Sequence, residues 1–316
     1  MYNLYFSACD ENGGIYHYRF DGQNAPVFEK VYKCDSPMYA IAGENRKLHV
    51  ILRKPFADGT SGVISYDICG DASLANPTNP QSTKGIVACH LTESDGCIYC
   101  VNYLSGSVIK MPDTVDVHTG KGVNQPRQDM PHTHYVSLSP DGKYIFVTDL
   151  GLDKIFVYDK NLSVISTVDM PSGHGPRHLA FHEDGKTVFC VNELASTVSV
   201  LDYADGVLTL KETTSPLAKS AGNTAAAIRA VGNSIFVSHR GDDTVTELNY
   251  DGSLSLKRVY SAYGKGPRDI WVTENTVICT NEKSGNVTFV SRTDGELMYE
   301  LSMPSPIGVL CTEDEK

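Results

Sequence analysis

The stretch PDGKYIFVTDLGLDKIFVY, residues 140–158, reads as two short strands separated by a polar turn. Pro140-Asp141-Gly142 is a turn signal, Ile145-Phe146-Val147 an apolar run, and residues 154–158 a second strand-like run. The apolar triplet recurs along the whole chain. Its first residues are Leu4, Leu48, Ile98, Ile145, Val188, Ile235 and Val277, at intervals of 44, 50, 47, 43, 47 and 42 residues. A second strand-like run follows the polar stretch, as at 197–201, 244–248 and 286–290. A further series precedes the triplet, at 36–41, 88–91, 134–138, 175–180, 225–228 and 266–270, each leading into a turn. Helical periodicity is absent.

Period and count predict an all-β, seven-bladed β-propeller of four-stranded antiparallel blades, one domain over residues 1–316. The chain opens directly on the triplet, without the strand that should precede it. Residues 305–313 supply a spare one, patterned like 266–274. We expect that strand to become the innermost strand of the blade begun by residues 1–20, closing the ring without an open edge. Two stacked β-sandwiches are the alternative.

Composition excludes several classes. Of 316 residues, 41% are hydrophobic and 21% charged, which suits a chain with a sizeable core. The net charge of −11 and the lack of a basic run argue against nucleic acid and anionic membranes as partners. No apolar run of membrane-spanning length and no signal-peptide pattern occur, so a cytoplasmic location is expected. The 9 cysteines are scattered, which speaks against a disulfide framework. Cys100, Cys190 and Cys279 take the slot that Val50, Val147 and Val237 fill in other repeats, as small buried hydrophobes do. Cys97 and Cys100 lie three apart in a strand, point to opposite faces and cannot share a metal.

Pairing the innermost strand of each blade with the second brings polar residues to one rim. Arg177 is expected opposite Asn192 with Glu193 beyond it, His134 opposite Asp149, and Arg268 opposite Asn281 with Glu282 beyond it. Arg240 ends its strand likewise. His132, His134, Asp149, Arg177, His178, Asn192, Glu193, Arg240, Arg268, Asn281 and Glu282 should therefore crowd one mouth of the central channel. Such convergence builds a site for a small polar ligand, and several arginines in an acidic protein suggest an anion. His132 and His134 have metal-ligand spacing on a strand, but Asp149 is the only further ligand in view, so no metal and no cofactor is expected. Asp153 and Asp159 read as loop-shaping residues, and Trp271 as core.

The residues 140–151 with Asp153, and Gly175-Pro176-Arg177-His178 with Asn192-Glu193, closely resemble the lactonase family of seven-bladed propellers. Val101-Asn102-Tyr103 and Ser238-His239-Arg240-Gly241 fit as well. That family includes bacterial 6-phosphogluconolactonases and the fungal carboxy-cis,cis-muconate cyclase. The resemblance implies lactone chemistry with catalytic residues at His134, Arg177, Glu193 and Arg240. It leaves His132, Asp149, His178, Asn192, Arg268 and Asn281 as candidate substrate contacts. It further implies a small anionic lactone, foremost 6-phosphogluconolactone, and so a step of the pentose phosphate pathway. Either His134 or Glu193 would draw the proton from water. A muconate-type lactonising enzyme and a non-catalytic binding propeller are the alternatives. The chain departs from the family pattern at Ser36-Pro37-Met38, where Asn-Pro-Ser is usual, at Leu52-Arg53, where Asn-Glu is usual, and at Ala226-Ala227-Ile228, where Ala-Asp-Ile is usual. An acid is lost near the channel and an arginine gained.

Overall fold

The computed structural model describes residues 1–217 and 220–313. Seven antiparallel sheets are arranged as the repeat predicts. From the axis outwards, the first blade runs Pro306–Glu313, Tyr2–Ala8, Gly14–Phe20 and Val27–Lys33. Six sheets have four strands. In the second blade the outer edge is split into two short pieces, Leu74–Ala75 and Gln81–Ser82, both pairing with Gly62–Ile68. The one helical element among the described residues is a single 3₁₀ turn, Glu44–Arg46. No helix is long and apolar enough to cross a membrane.

All seven triplets form second strands, one step out from the axis. Their side chains alternate between the two faces of a sheet. Both faces press on a neighbouring blade, so the strand is buried throughout rather than on alternate positions. Ile145–Asp149 and Thr187–Asn192 are buried at every position.

The core is accordingly not one mass but seven, one between each pair of blades. Phe146, Ile155 and Val157 of the fourth blade pack on Leu179, Val188 and Cys190 of the fifth. Phe189 and Val191 pack on Ile228 and Val237 of the sixth. The cysteine slots fall in these seams, with Cys100 between the second and third blades and Cys279 between the sixth and seventh.

Closure follows the expected route. Tyr2–Ala8 pairs with Pro306–Glu313, for example Phe6 with Val309 and Leu4 with Cys311. The last seam joins Leu4, Phe6 and Phe20 to Ile278, Val287 and Phe289 of the seventh blade. Phe20 meets Phe289 edge to face at 5.1 Å, a favoured aromatic geometry. Deleting residues 304–316 would strip the innermost strand from the first blade and leave the backbone groups of Tyr2–Ala8 unpaired. We expect such a protein to lose its cooperative thermal transition. A transition at the temperature of the full chain would show that the ring does not depend on this strand.

Candidate active site

The innermost strands all start at one mouth of the channel, and all but one repeat the same irregularity there. In the fifth blade Pro176 pairs with Asn192 and His178 with Val191, which leaves Arg177 without a partner residue. His134, Arg268, Met38, Cys89 and Ile307 are skipped in the same way. In the sixth blade Ala226 and Ala227 face the single residue Ser238. Each is a β-bulge, one extra residue on the inner strand that re-aims its side chain. This corrects the register expected from the sequence: Arg177, His134 and Arg268 are not opposite Asn192, Asp149 and Asn281 but bulge out beside them.

A second tier comes from the residue that follows each second strand. These residues are Cys9, Arg53, Tyr103, Leu150, Glu193, Arg240 and Glu282, each five positions after the start of its triplet. Two tiers of seven thus surround the axis. They enclose a cavity of about 400 Å³. Five bulge residues line it, Met38, Cys89, His134, Arg268 and Ile307, together with every member of the second tier but Leu150. Arg127, from the excursion between the third and fourth blades, completes the wall. One side, from blades five to seven, is charged. The other, from blades one to three, is apolar and sulfur-rich, apart from Arg53.

Glu193 is the hub of the charged side. Its Oε1 accepts from Arg127 Nη2 at 2.6 Å, and its Oε2 accepts from Arg177 Nε at 3.0 Å and lies 2.9 Å from Arg240 Nη2. Burial alone would raise the pKa of Glu193, but Arg240 and Arg177, aided by Arg127, hold it well below the carboxylate range. Arg177 is 2% exposed and spends its remaining donors on Ala226 O, at 2.7 Å, and on the His178 side. Burial and the neighbouring Arg240 pull it down to about 10, still protonated at neutral pH. Arg268 pairs with Glu282 at 3.1 Å. Arg240 Nε has no hydrogen-bond partner among the described residues. Four arginines thus line the cavity against two carboxylates, with Arg177 as a fifth beneath them.

His134 lines the cavity between the two sides. It is buried against Tyr103 and His178, at ring distances of 5.5 and 5.3 Å. Burial, then Arg177, push its pKa well below the usual value, so the ring is neutral. His178 is not in the wall of this cavity. It stands behind His134 and touches His90 and Tyr135 at 5.4 and 5.2 Å. These rings and Tyr39 partition the channel. The far mouth is a separate pocket of about 720 Å³, with Tyr39, His90, Tyr135, Arg229 and Trp271 in its wall. Trp271, expected in the core, is half-buried there with Arg229 over its ring at 5.6 Å.

The other candidates do not reach the cavity. The Asp149 carboxylate is fully buried, 2.6 Å from His118 Nδ1, and accepts from the backbone N–H groups of His132, Gly151 and Leu152. Asn192 donates to Thr197 and Ser199, and Asn281 to Ala262 O and Thr288. These residues hold the loops that carry the second tier. His134 lines the cavity, whereas His132 does not. His132 stacks on Tyr103 at 4.4 Å and so braces a wall residue. No three His, Cys, Asp or Glu side chains among the described residues come together as a metal would need. Asp153 accepts from Gly173 and Gly175 N–H, shaping the loop before Arg177 as expected.

A family profile described as "Lactonase, 7-bladed beta-propeller" matches residues 3–307. The chain belongs to this family. It is 29% identical to 6-phosphogluconolactonase of Bacillus subtilis (strain 168), over 94% of this chain and 92% of that one. Among solved structures, a protein from Lactobacillus plantarum aligns with a TM-score of 0.88 at 27% identity, covering 99% of both chains. The periplasmic gluconolactonase of Pseudomonas aeruginosa aligns with a TM-score of 0.86 at 23% identity, again over 99% of both, a likeness of fold. Within this lactonase the departures from the family pattern have visible places, and Met38 is in the cavity wall. Ala227, at the place of the usual acid, is buried in the seam between the sixth and seventh blades, and Arg53 adds a cation to the cavity wall.

Replacing Glu193 by Gln would leave three guanidinium groups around a neutral amide. Removing one partner of a buried ion pair costs about 3–5 kcal/mol, and we expect a loss of that order at pH 7. A carboxylate whose pKa is depressed by folding stabilises fully above its unfolded value, 4.5, and loses that contribution as pH falls through the folded value. The gap between wild type and Glu193→Gln in chemical denaturation should therefore be constant from pH 6 to 8 and narrow below about 4.5. A gap that is small at pH 7, or that does not narrow in acid, would show that the cluster is not held by this charge.

Proposed function

We propose that the protein hydrolyses a small anionic sugar lactone in this cavity, foremost 6-phosphogluconolactone. The observation that carries the reading is the cationic wall around a carboxylate with three arginine partners, facing a neutral histidine. An anion approaching a chain of charge −11 needs such a local reversal of the field. The Bacillus subtilis relative names the substrate class. A cytoplasmic location belongs to the same reading.

Each cavity residue has a task in ester hydrolysis. Both oxygens of Glu193 are engaged by guanidinium groups, so it serves to hold Arg127, Arg177 and Arg240 in place. That leaves His134 as the proton acceptor, and the geometry favours it over Glu193. A neutral imidazole takes the proton of the attacking water as oxygen adds to the lactone carbonyl. The imidazolium that forms is stabilised by the Glu193 charge, which already raises the His134 pKa against burial. Arg240, which lines the cavity with His134 and is held by Glu193 through Nη2, stabilises the carbonyl oxyanion with its guanidinium. When the intermediate collapses, the ring C–O bond breaks. His134 returns its proton to the departing alkoxide, and the product is the open hydroxy acid.

A panel of lactones, followed by acid release and corrected for spontaneous hydrolysis, tests the reading. His134→Ala should lower kcat by roughly 10²-fold or more. Arg240→Ala should lower kcat by about 10²–10³-fold, for phosphorylated and neutral lactones alike. In the free enzyme His134 titrates well below 6.5, so kcat/KM should stay flat from pH 8 down past 6.5 and fall only further into acid. A bound anionic lactone favours the imidazolium, so the acid limb of kcat should lie at higher pH than that of kcat/KM. Absence of lactone turnover would remove the reading. Full activity of His134→Ala would move the base elsewhere.

A further inference from the structure

The arginines of the cavity are not equivalent. Arg127, Arg177 and Arg240 are committed to Glu193, and Arg268 to Glu282. Arg53 also lines the cavity, yet it has no ion-pair partner among the described residues. Asp58, the acid of the loop that follows it, accepts from the N–H and hydroxyl of Thr60 instead. Beside Arg53 lies the thiol of Cys9. Burial raises the pKa of that thiol despite the arginine, so it stays protonated and offers no counter-charge.

The position is fixed although the side chain is open to solvent. The backbone N–H of Arg53 donates to Ser36 O at 3.1 Å. Its carbonyl accepts from Ser61 Oγ at 2.5 Å, and Ser61 Oγ in turn accepts from Ala88 N–H of the third blade. Arg53 belongs to the second blade and to the same tier as Glu193 and Arg240. In a ring of seven, blade two stands three blades from blade five in one direction and three from blade six in the other. Arg53 therefore faces the reactive wall across the cavity, alone on the side formed by Cys9, Met38, Cys89 and Ile307.

We propose that Arg53 is a specificity-determining residue that holds the remote anionic group of the substrate, a phosphate or carboxylate carried away from the ring ester. This rests on the lactonase reading above. A lactone bound with its carbonyl at Arg240 and His134 extends its other end across the cavity, where the unmatched guanidinium waits. The fork of Arg53 suits phosphate oxygens. Arg240 does not take this role, because it is held at Glu193 on the wall that carries His134.

The test compares 6-phosphogluconolactone with unphosphorylated gluconolactone in wild type, Arg53→Ala and Arg53→Lys. In Arg53→Ala the kcat/KM ratio of phosphorylated to neutral lactone should fall about tenfold, as expected for one charge-assisted contact at an exposed site. The fall should lie in KM rather than kcat. Arg53→Lys should recover part of it. Rising ionic strength should lower the ratio in wild type and change it little in Arg53→Ala. A ratio in Arg53→Ala within twofold of wild type overturns the proposal and leaves the lactonase reading standing. If wild type hydrolyses neither lactone, the lactonase reading fails, and Arg53 is judged by calorimetric binding of 6-phosphogluconate. Affinity about tenfold weaker in Arg53→Ala upholds the role. Equal affinity, or no binding to wild type, overturns it.

Discussion

Each innermost strand of this propeller carries an extra residue at its start, and the site depends on that constraint. Seven inner strands converge on one axis, where regular pleating would send alternate side chains into the neighbouring blades. The bulge breaks the alternation at one point per blade. It turns His134, Arg177, Arg268, Met38, Cys89 and Ile307 inward at one level. The residue after each second strand adds a level beside it. The cavity is built of residue choices at fourteen equivalent places on one scaffold, and its chemistry follows from which places hold charge.

The choices divide the cavity. Blades five to seven hold Arg177, Glu193, Arg240, Arg268 and Glu282, while blades one to three hold Cys9, Met38, Cys89 and Ile307. A buried carboxylate is costly to desolvate, and three guanidinium partners offset that cost only while all remain in place. Glu193 thus fixes the place of its guanidinium partners, and donors already in place are what electrostatic stabilisation of a transient oxyanion requires. Behind it, His178, His90, Tyr135 and Tyr39 seal the channel, so the cavity opens on one side and its charges act in a confined volume.

Much of this was legible in the sequence. The triplet at near-regular intervals carried the blade count, and the unpaired strands at 1–20 and 305–313 carried the mode of closure. Arg177, Glu193, Arg240 and His134 were legible because second-strand ends and inner-strand starts share a rim. The register was not. Counting outwards from a hairpin turn assumes unbroken pairing, and a one-residue bulge leaves no mark in composition. That error brought Asn192, Asn281 and Asp149 into the candidate set, whereas they brace loops. Arg127 had no repeat position to reveal it, since it lies on an excursion outside the blades. Cys9, Arg53 and Tyr103 could have been found, for each lies five residues past the start of its triplet, as Glu193 and Arg240 do.

The channel has two mouths, and only one carries the two tiers. The most direct measurement is therefore a crystal structure of the protein with 6-phosphogluconate bound. The product should lie in the cavity, its carboxylate within hydrogen-bond distance of Arg240 and close to His134, its phosphate toward Arg53. A product seated in the far mouth against Tyr39, Arg229 and Trp271, or on the outer face of a blade, would contradict the assignment of the site.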